Sequence, residues 1–243
     1  MEEHSSGLDV CQNGVTCDNK CSAKRFFHAL GERGFTTMQR VAVYIDGFNL
    51  HYGLLDRGWR RYVWLNVRRL AENLLQPHQR FVLARYFTAK MRQDAHNSGN
   101  SVRQETFLEA TELLPDVHIH LGYYSRKRKI CAGCGADFWV FEEKMTDVNI
   151  ASSLLCDAQD DIFDTGIIVS ADSDLVSPIR EVLFRFPGKR MVVAFPPKRV
   201  SKHLRQVATG HFVIGRKKFE DSQLPSQVIK PDGYVLTRPP AWN

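Results

Sequence analysis

No stretch of this sequence is apolar for long enough to form a membrane-spanning helix, so we expect no membrane partner. Residues 1–8 are polar and acidic, so we expect no secretory signal and predict a cytoplasmic protein. In a reducing cytoplasm, the six cysteines are more often metal ligands or buried thiols than disulfides. The sequence also lacks an internal repeat, which excludes a repeat architecture.

The composition is that of an ordinary globular protein. The 243 residues are 43% hydrophobic and 25% charged, enough to bury one sizeable core. The formal net charge is +6 and the isoelectric point is about 9.0. This excess favours a polyanionic partner such as RNA, although many proteins with a similar charge never bind nucleic acid.

The chain divides into three segments by composition. Residues 1–37 contain glycines and three cysteines but no hydrophobic period, and we predict a poorly ordered extension there. Residues 38–216 are predicted to form one ordered domain, with a hairpin inserted at about residues 125–143. Residues 217–243 are polar and contain several prolines, which predicts a C-terminal tail that is surface-draped or disordered.

Within the ordered domain, strand and helix patterns alternate. The apolar run at residues 41–45 is too continuous for a half-exposed strand and predicts a buried parallel one. Repeated strand-then-helix units require a mostly parallel sheet covered on both faces, so we predict an α/β fold. The predicted strands are 41–45, 81–87, 117–124, 166–169, 191–195 and 211–214, and the predicted helices are 67–75, 101–114, 146–158, 175–186 and 201–208.

Aspartates lie where such a sheet binds its ligands, at the carboxyl ends of strands. Asp46 ends the first strand, Asp172 and Asp174 follow the strand at 166–169, and Asp147 begins the preceding helix. Carboxylates that cluster repel one another, and a bound cation relieves the repulsion. Hard oxygen ligands select Mg²⁺ or Mn²⁺, and a metal held in this way suits phosphodiester hydrolysis.

Each aspartate also has a simpler interpretation. Asp46 could belong only to a turn, and Asp172 or Asp174 could cap the helix that follows. Asp147 at a helix start is more often a surface residue that the helix dipole favours. Taken singly, the cap and metal interpretations are about equally good. The joint pattern favours the metal site.

Three motifs in order resemble a known family. They are YIDGFN at residues 44–49, EKMTDVNIA at 143–151 and VSADSDL at 169–175, and they look like the signature blocks of NYN domains, a branch of the PIN-like nucleases. The resemblance covers about residues 40–214. It implies a PIN-like three-layer α/β/α sandwich with a mostly parallel sheet and a CxxC-bearing hairpin insertion, and a divalent-metal ribonuclease site.

By motif match, the resemblance assigns roles residue by residue. Asp46, Asp147, Asp172 and Asp174 become metal ligands or residues that position the attacking water. Asn49 is expected to contact either a metal-binding residue or the substrate. Lys144 could meet a phosphate, although a solvated surface lysine is the commoner case.

A cysteine pair forms half of a zinc knuckle. Two residues separate Cys131 from Cys134, and Gly135 follows the second cysteine. A structural zinc needs about four ligands and no second CxxC exists, so a flexible reduced hairpin tip is the alternative interpretation. The candidates for the missing ligands are Cys17 and Cys21, His118 and His120, or a second subunit in a homodimer. Cys156 is predicted to lie in the core.

A basic run precedes the cysteine pair and aromatic residues follow it. Such a combination could hold a single-stranded RNA backbone and stack its bases. A solvated charge run and aromatics packed on the sheet are the alternative. The basic residues are Arg126, Lys127, Arg128 and Lys129, and the aromatics are Phe138, Trp139 and Phe141.

Two function classes compete. The leading hypothesis is a metal-dependent nuclease acting on RNA. The alternative is an NADH-dependent monooxygenase, because some bacterial family members that this chain resembles in size and CxxC insertion are named 6-hydroxy-3-succinoylpyridine 3-monooxygenase, a step of nicotine degradation. The residues do not favour redox chemistry: no GxGxxG follows the first strand, and one CxxC cannot hold an iron–sulfur cluster. The intact aspartates count against a third class, a non-catalytic RNA-binding or toxin–antitoxin component.

Overall fold

The computed structural model describes residues 38–91 and 98–242, so the predicted N-terminal extension lies outside the described residues. A seven-stranded sheet forms the centre of the domain, in the order β4-β3-β2-β1-β5-β6-β7. Only the β3–β4 pair is antiparallel among these neighbours. The strands are β1 (Gln39–Asp46), β2 (Gln79–Ala89), β3 (Val117–Ile130), β4 (Asp137–Lys144), β5 (Thr165–Val169), β6 (Arg190–Phe195) and β7 (Gly210–Val213). The predicted α/β fold with a mostly parallel sheet is confirmed.

Helices cover both faces of this sheet and make a three-layer α/β/α sandwich. One hydrophobic cluster joins one sheet face to α1, α2 and α3, and a second joins the other face to α4, α5 and α6. The helices are α1 (Gly47–Asp56), α2 (Val67–Leu74), α3 (Ser98–Glu112), α4 (Thr146–Gln159), α5 (Val176–Arg185), α6 (Lys202–Val207) and α7 (Arg216–Glu220).

Strand β1 is apolar at successive residues, without a polar residue at every second position. Val41, Val43 and Ile45 pack in the first cluster, whereas Ala42 and Tyr44 pack in the second. All five are fully buried because β1 lies between β2 and β5 and both of its faces are covered. This position brings the end of β1 to the middle of the carboxyl edge of the sheet.

A buried polar network fixes α4 against the sheet. The Tyr44 hydroxyl donates to the Asp157 carboxylate at 2.7 Å, and Arg85 donates to the same carboxylate at 2.7 and 2.5 Å. The pairing satisfies a carboxylate that would otherwise be costly to bury.

The prediction that Cys156 lies in the core is wrong. Its side chain is exposed, because the buried stripe of α4 lies on another side of the helix.

The C-terminal segment is folded, which corrects the prediction of a surface-draped or disordered tail. It contains α7 and the antiparallel strands β8 (Gln227–Ile229) and β9 (Val235–Thr237). Its buried side chains join the first hydrophobic cluster, and the Trp64 indole donates to the carbonyl oxygen of Pro225 at 2.7 Å. These apolar residues are isolated in sequence and follow no period: Phe219, Leu224, Leu236 and Trp242.

Strand β3 is longer than predicted. It continues through the basic run to Ile130 and pairs with β4 from Tyr123 onward. Both strands of this hairpin are largely exposed, so the sequence there shows no buried face. Cys131 and Cys134 lie in the turn between β3 and β4.

Candidate functional site

Asp46 stands at the carboxyl end of β1 and is 3% exposed. It is also the N-cap of α1, where its Oδ1 accepts the Asn49 amide N–H at 3.0 Å. Its Oδ2 accepts the Asn49 side-chain amide at 2.7 Å. The cap and site interpretations of Asp46 are therefore compatible, because one carboxylate serves the helix and remains at the strand edge.

Ser170 joins this carboxylate to the next strand. Its buried hydroxyl donates to Asp46 Oδ2 at 2.8 Å and accepts the Asp172 N–H at 3.0 Å. Asp172 in turn caps a short 3₁₀ helix, Ser173–Leu175, by accepting the Asp174 N–H at 3.0 Å. Asp172 is half-buried, whereas Asp174 is exposed.

Asp147 approaches from the start of α4. It is half-buried in the first turn, after Met145, which has a left-handed backbone with φ of 82°. Glu143, at the end of β4, accepts the Thr146 amide N–H at 3.0 Å and also the Thr146 hydroxyl. These bonds fix the turn from β4 into α4 and hold Glu143 beside the aspartates.

The charges of these residues act on one another. Burial, with the neighbouring charges of Asp172, Asp46, Glu143 and Asp174 in that order, raises the pKa of Asp147 to about 6. Burial also raises the pKa of Asp46, although hydrogen bonds from Asn49 and Ser170 oppose that shift. The fold therefore brings Asp46, Asp172, Asp174 and Glu143 within electrostatic range of Asp147.

The donor set fits a divalent cation in charge and in chemistry, since all the members are carboxylates. Their spacing is looser than that of a formed metal site. Across residues 38–91 and 98–242, no three His, Cys, Asp or Glu side chains are placed to hold one metal ion. Metal ligation by these aspartates is therefore a proposal.

The sequence of the domain matches the family model described as the NYN domain over residues 40–215. The chain belongs to the NYN domain family. This membership indicates a PIN-like, nuclease-like hydrolase, with nucleic acid as its class of partner.

No helix within the described ranges is long and apolar enough to cross a bilayer.

The proteins similar to this NYN chain include the following two. The first, from Pseudomonas putida (strain DSM 28022 / S16), is named 6-hydroxy-3-succinoylpyridine 3-monooxygenase HspA and is 30% identical over 190 residues. That match covers 65% of this chain and 59% of the relative, so it spans less than two thirds of that protein's length. The second is the crystal structure of VPA0982, a protein of unknown function from Vibrio parahaemolyticus RIMD 2210633. It is 18% identical, with a TM-score of 0.48 over 77% of this chain and 98% of that one.

Two residues beside the aspartates have roles that the sequence does not predict. Ser170 and Glu143 lie inside the signature motifs, but a lone serine or glutamate has no periodic signal. Glu143 accepts both of its bonds from Thr146, three residues later, which is the reverse of the capping-box order, so no sequence motif indicates this contact. Nothing in the sequence indicates that Ser170 bridges two carboxylate segments.

The residues predicted to contact the substrate have partners within the protein. Asn49 is held on Asp46, as described above. The Lys144 ammonium points to Glu142, 3.4 Å away, so the surface interpretation fits its present position better than a phosphate contact. Lys127 and Lys129 also pair with Glu142, and Arg128 pairs with Asp137. Much of the basic run is thus partly neutralised within the hairpin.

One face of the hairpin still combines guanidinium and aromatic groups. Because side chains alternate along strands, Arg126 and Arg128 share a face with their cross-strand partners Phe141 and Trp139. The Arg126 guanidinium stacks 3.9 Å from the centre of the Trp139 ring. Glu143 continues this same face toward the aspartates.

The cysteine pair is distant from the predicted histidine ligands. At about 3.3 Å per residue, the strand from His120 to Ile130 spans roughly 33 Å. His120 instead stacks on Phe87, with ring centres 4.9 Å apart, and lies 3.0 Å from Arg85. His118 and His120 of the same chain therefore cannot complete a zinc site with the pair, and Cys17 and Cys21 lie outside the described residues.

A cavity of about 290 Å³ opens beside α1, on the side of the first hydrophobic cluster. Its walls are mostly apolar, and Arg60, Arg103 and His51 supply polar groups. Burial and the neighbouring charge of Arg60 lower the pKa of His51. Within the described residues, neither Arg60 nor Arg103 forms an ion pair, and the Arg103 guanidinium donates to the Asn100 side-chain oxygen.

Proposed function

We propose that this NYN protein is a divalent-metal-dependent nuclease that hydrolyses phosphodiester bonds of RNA. The observation that carries the proposal is the group of acidic side chains at the sheet edge, where burial first, and then the charges of Asp172, Asp46, Glu143 and Asp174, raise the pKa of Asp147 to about 6. A fold that accumulates uncompensated negative charge at a ligand-binding edge is suited to bind a cation.

The position of each residue indicates either a metal-binding role or an orienting role. Asp46, Asp147, Asp172 and Asp174 would hold Mg²⁺ or Mn²⁺, which supplies charge neutralisation at the phosphoryl oxygen and an activated water. Asn49 and Ser170 orient the Asp46 carboxylate through the bonds given above. Hydrogen-bonded supports of this kind typically tune metal affinity strongly.

The hairpin face favours RNA as the substrate. Its Arg126 and Arg128 groups and its Trp139 and Phe141 rings lead toward Glu143, beside the carboxylates. Trp139 and Phe141 are 52% and 44% exposed, so part of each residue faces the solvent. Base stacking on aromatic rings with charge contacts to phosphate is how proteins bind single strands without reading sequence.

The test uses the purified full-length protein and a fluorescent single-stranded RNA. We expect cleavage with Mn²⁺ or Mg²⁺, no cleavage in EDTA, and loss of cleavage in Asp172→Asn. Asp160→Asn is the matched control, since Asp160 is an exposed aspartate at the other end of α4. Cleavage that persists in EDTA and in Asp172→Asn would contradict a metal-dependent nuclease site at these aspartates.

Metal binding is measured separately from activity. Calorimetric titration with Mn²⁺ should give saturable binding to the wild type and much weaker binding to Asp172→Asn and Asp46→Asn. Equal Mn²⁺ binding by the wild type and both variants would show that the aspartates only cap helices.

The cavity beside α1 favours a second candidate function, conversion of a small organic anion. The similar Pseudomonas protein is named for a monooxygenase that acts on 6-hydroxy-3-succinoylpyridine. A mostly apolar cavity with two guanidinium groups is suited to a ring that carries a carboxylate. No dinucleotide-binding motif follows β1, where Asp46 to Asn49 stand instead.

This candidate is tested by NADH oxidation with 6-hydroxy-3-succinoylpyridine. Oxidation that needs the substrate, is lost in Arg103→Ala and survives Asp172→Asn would establish it over the nuclease. Absence of substrate-dependent oxidation in protein that cleaves RNA would eliminate it.

A further inference from the structure

The turn between β3 and β4 has the geometry of half a thiolate metal site. The amides of Gly133 and Cys134 donate to the Cys131 sulfur. Gly135 has φ of 71°, its N–H donates to the Cys131 carbonyl at 2.9 Å, and the Cys131 N–H donates to Ala136 at 2.9 Å. Amides that face a sulfur, and a left-handed glycine after the second cysteine, let one tight turn present two thiolates to one metal.

This turn is separate from the carboxylates. At about 3.4 Å per residue, β4 carries the chain roughly 24 Å from Asp137 to Lys144, next to the proposed nuclease site. Cys134 is exposed and Cys131 is half-buried, so the pair lies at the protein surface. The pair can therefore bind a metal without involving the aspartates, and the inference below does not depend on the proposed function.

The rest of the described chain does not supply the missing ligands. No group of three metal-binding side chains occurs in residues 38–91 and 98–242, and the remaining described cysteine, Cys156, is on α4. The N-terminal pair Cys17 and Cys21 has three intervening residues and is followed by Ser22. It does not repeat the CAGCG pattern of residues 131–135, which occurs once in the sequence.

We infer that one Zn²⁺ joins two copies of this chain, bound by Cys131 and Cys134 of each. A two-fold axis through the metal supplies the second, identical knuckle and completes a set of four thiolates. Four sulfur ligands in tetrahedral geometry suit structural zinc. Contact between the two turns would also cover Ile130, the residue before Cys131, which is 70% exposed.

The experiment compares zinc content with molecular mass for the full chain. Protein loaded with ZnCl₂ and desalted is measured by elemental analysis and by light scattering after size exclusion. We expect about half a zinc per chain and twice the mass of one chain, with return to a monomer in EDTA. Cys131→Ser should lose both the zinc and the dimer, whereas Cys156→Ser should keep both.

A combined Cys11→Ser, Cys17→Ser and Cys21→Ser variant decides the source of the other two ligands. We expect it to keep half a zinc per chain and to remain dimeric. A monomer with one zinc per chain, lost in this combined variant, would overturn the inference in favour of the N-terminal cysteines. Protein that keeps no zinc after loading, although circular dichroism shows it folded, would overturn it altogether.

Discussion

The Ser170 hydroxyl donates a 2.8 Å hydrogen bond to the Asp46 carboxylate and so joins the ends of β5 and β1. The same oxygen accepts the Asp172 N–H at 3.0 Å. One buried hydroxyl therefore sets the position of two carboxylate-bearing segments that are far apart in sequence. Its removal tests whether the arrangement serves only folding or also ion binding.

We expect Ser170→Ala to lower the free energy of unfolding by about 1–2 kcal/mol, because two buried polar groups lose a partner. Mn²⁺ affinity should fall about 10- to 100-fold, since Asp46 loses a group that orients it. Denaturant unfolding in EDTA and calorimetric titration measure the two effects.

Ser222→Ala is the control for this prediction. Ser222 is also fully buried, and its hydroxyl donates to the Lys218 carbonyl at 2.6 Å and accepts from Asn73 at 2.7 Å. It should lose similar stability and keep full Mn²⁺ affinity. If both variants bind Mn²⁺ as the wild type does, Ser170 has a structural role only.

The raised pKa of Asp147, about 6, predicts a pH dependence of stability with a definite sign. The folded state holds this proton more tightly than the unfolded state, whose carboxyl titrates near its ordinary pKa of about 4. Stability in EDTA should therefore fall as the pH rises from about 4 to about 6 and remain lower above that.

Asp147→Asn should remove the loss of stability that the wild type shows as the pH rises. With allowance for solvent screening, the variant should be about 1–2 kcal/mol more stable than the wild type at pH 7.5 and no more stable at pH 4. Glu105→Gln, at an exposed position on α3, should show no such difference. A gain in stability at pH 4 equal to that at pH 7.5 would show that charge repulsion is not the cause.

Trp139→Ala tests the hairpin face. In the inactive Asp172→Asn background, it should weaken binding of single-stranded RNA by about 1–3 kcal/mol, as expected for one stacked base. Fluorescence anisotropy measures this affinity. Mn²⁺ binding should not change, because Trp139 is on the hairpin and not among the carboxylates.

Phe184→Ala provides the comparison, since Phe184 is 82% exposed on α5. Its removal should leave RNA affinity unchanged. Equal affinities for the parent, Trp139→Ala and Phe184→Ala would place the RNA elsewhere on the protein.

Gly122 allows β3 to approach the turn into α4. A Cβ atom there would collide with the Lys144 carbonyl oxygen and lie 3.0 Å from Glu143 Oε1 and 3.1 Å from the Thr146 hydroxyl. Gly122→Ala should cost about 1–3 kcal/mol of stability, because a backbone atom must move. It should also reduce RNA cleavage by displacing Glu143 and the start of α4.

Gly188→Ala is the matched substitution, because a Cβ there meets nothing within 4 Å. It should be neutral or stabilising by about 0.4–1 kcal/mol. Thermal unfolding and the cleavage assay compare the two. A Gly122→Ala protein with unchanged stability and activity would show that the β3–α4 junction adapts to the added methyl group.

The sequence predicted the sheet and the positions of the aspartates because both follow from strand order. A parallel strand buried on both faces must be apolar throughout, as β1 is, and its carboxyl end must lie at the ligand-binding edge. Ser170 and Glu143 could not be predicted, since their roles depend on partners fixed only by folding. The burial of Trp242 could not be predicted either, because a single apolar residue in a polar segment shows no period.

The reversed direction of β4 also affects how this protein can vary. Because β3 leaves the ligand-binding edge and β4 returns to it, both ends of the hairpin are anchored near Gly122 and Glu143. Removing or adding opposed residue pairs farther out would change the reach of the hairpin without shifting either anchor. Related chains could therefore differ in hairpin length, and hence in the RNA or partner they reach, while keeping the same carboxylate arrangement.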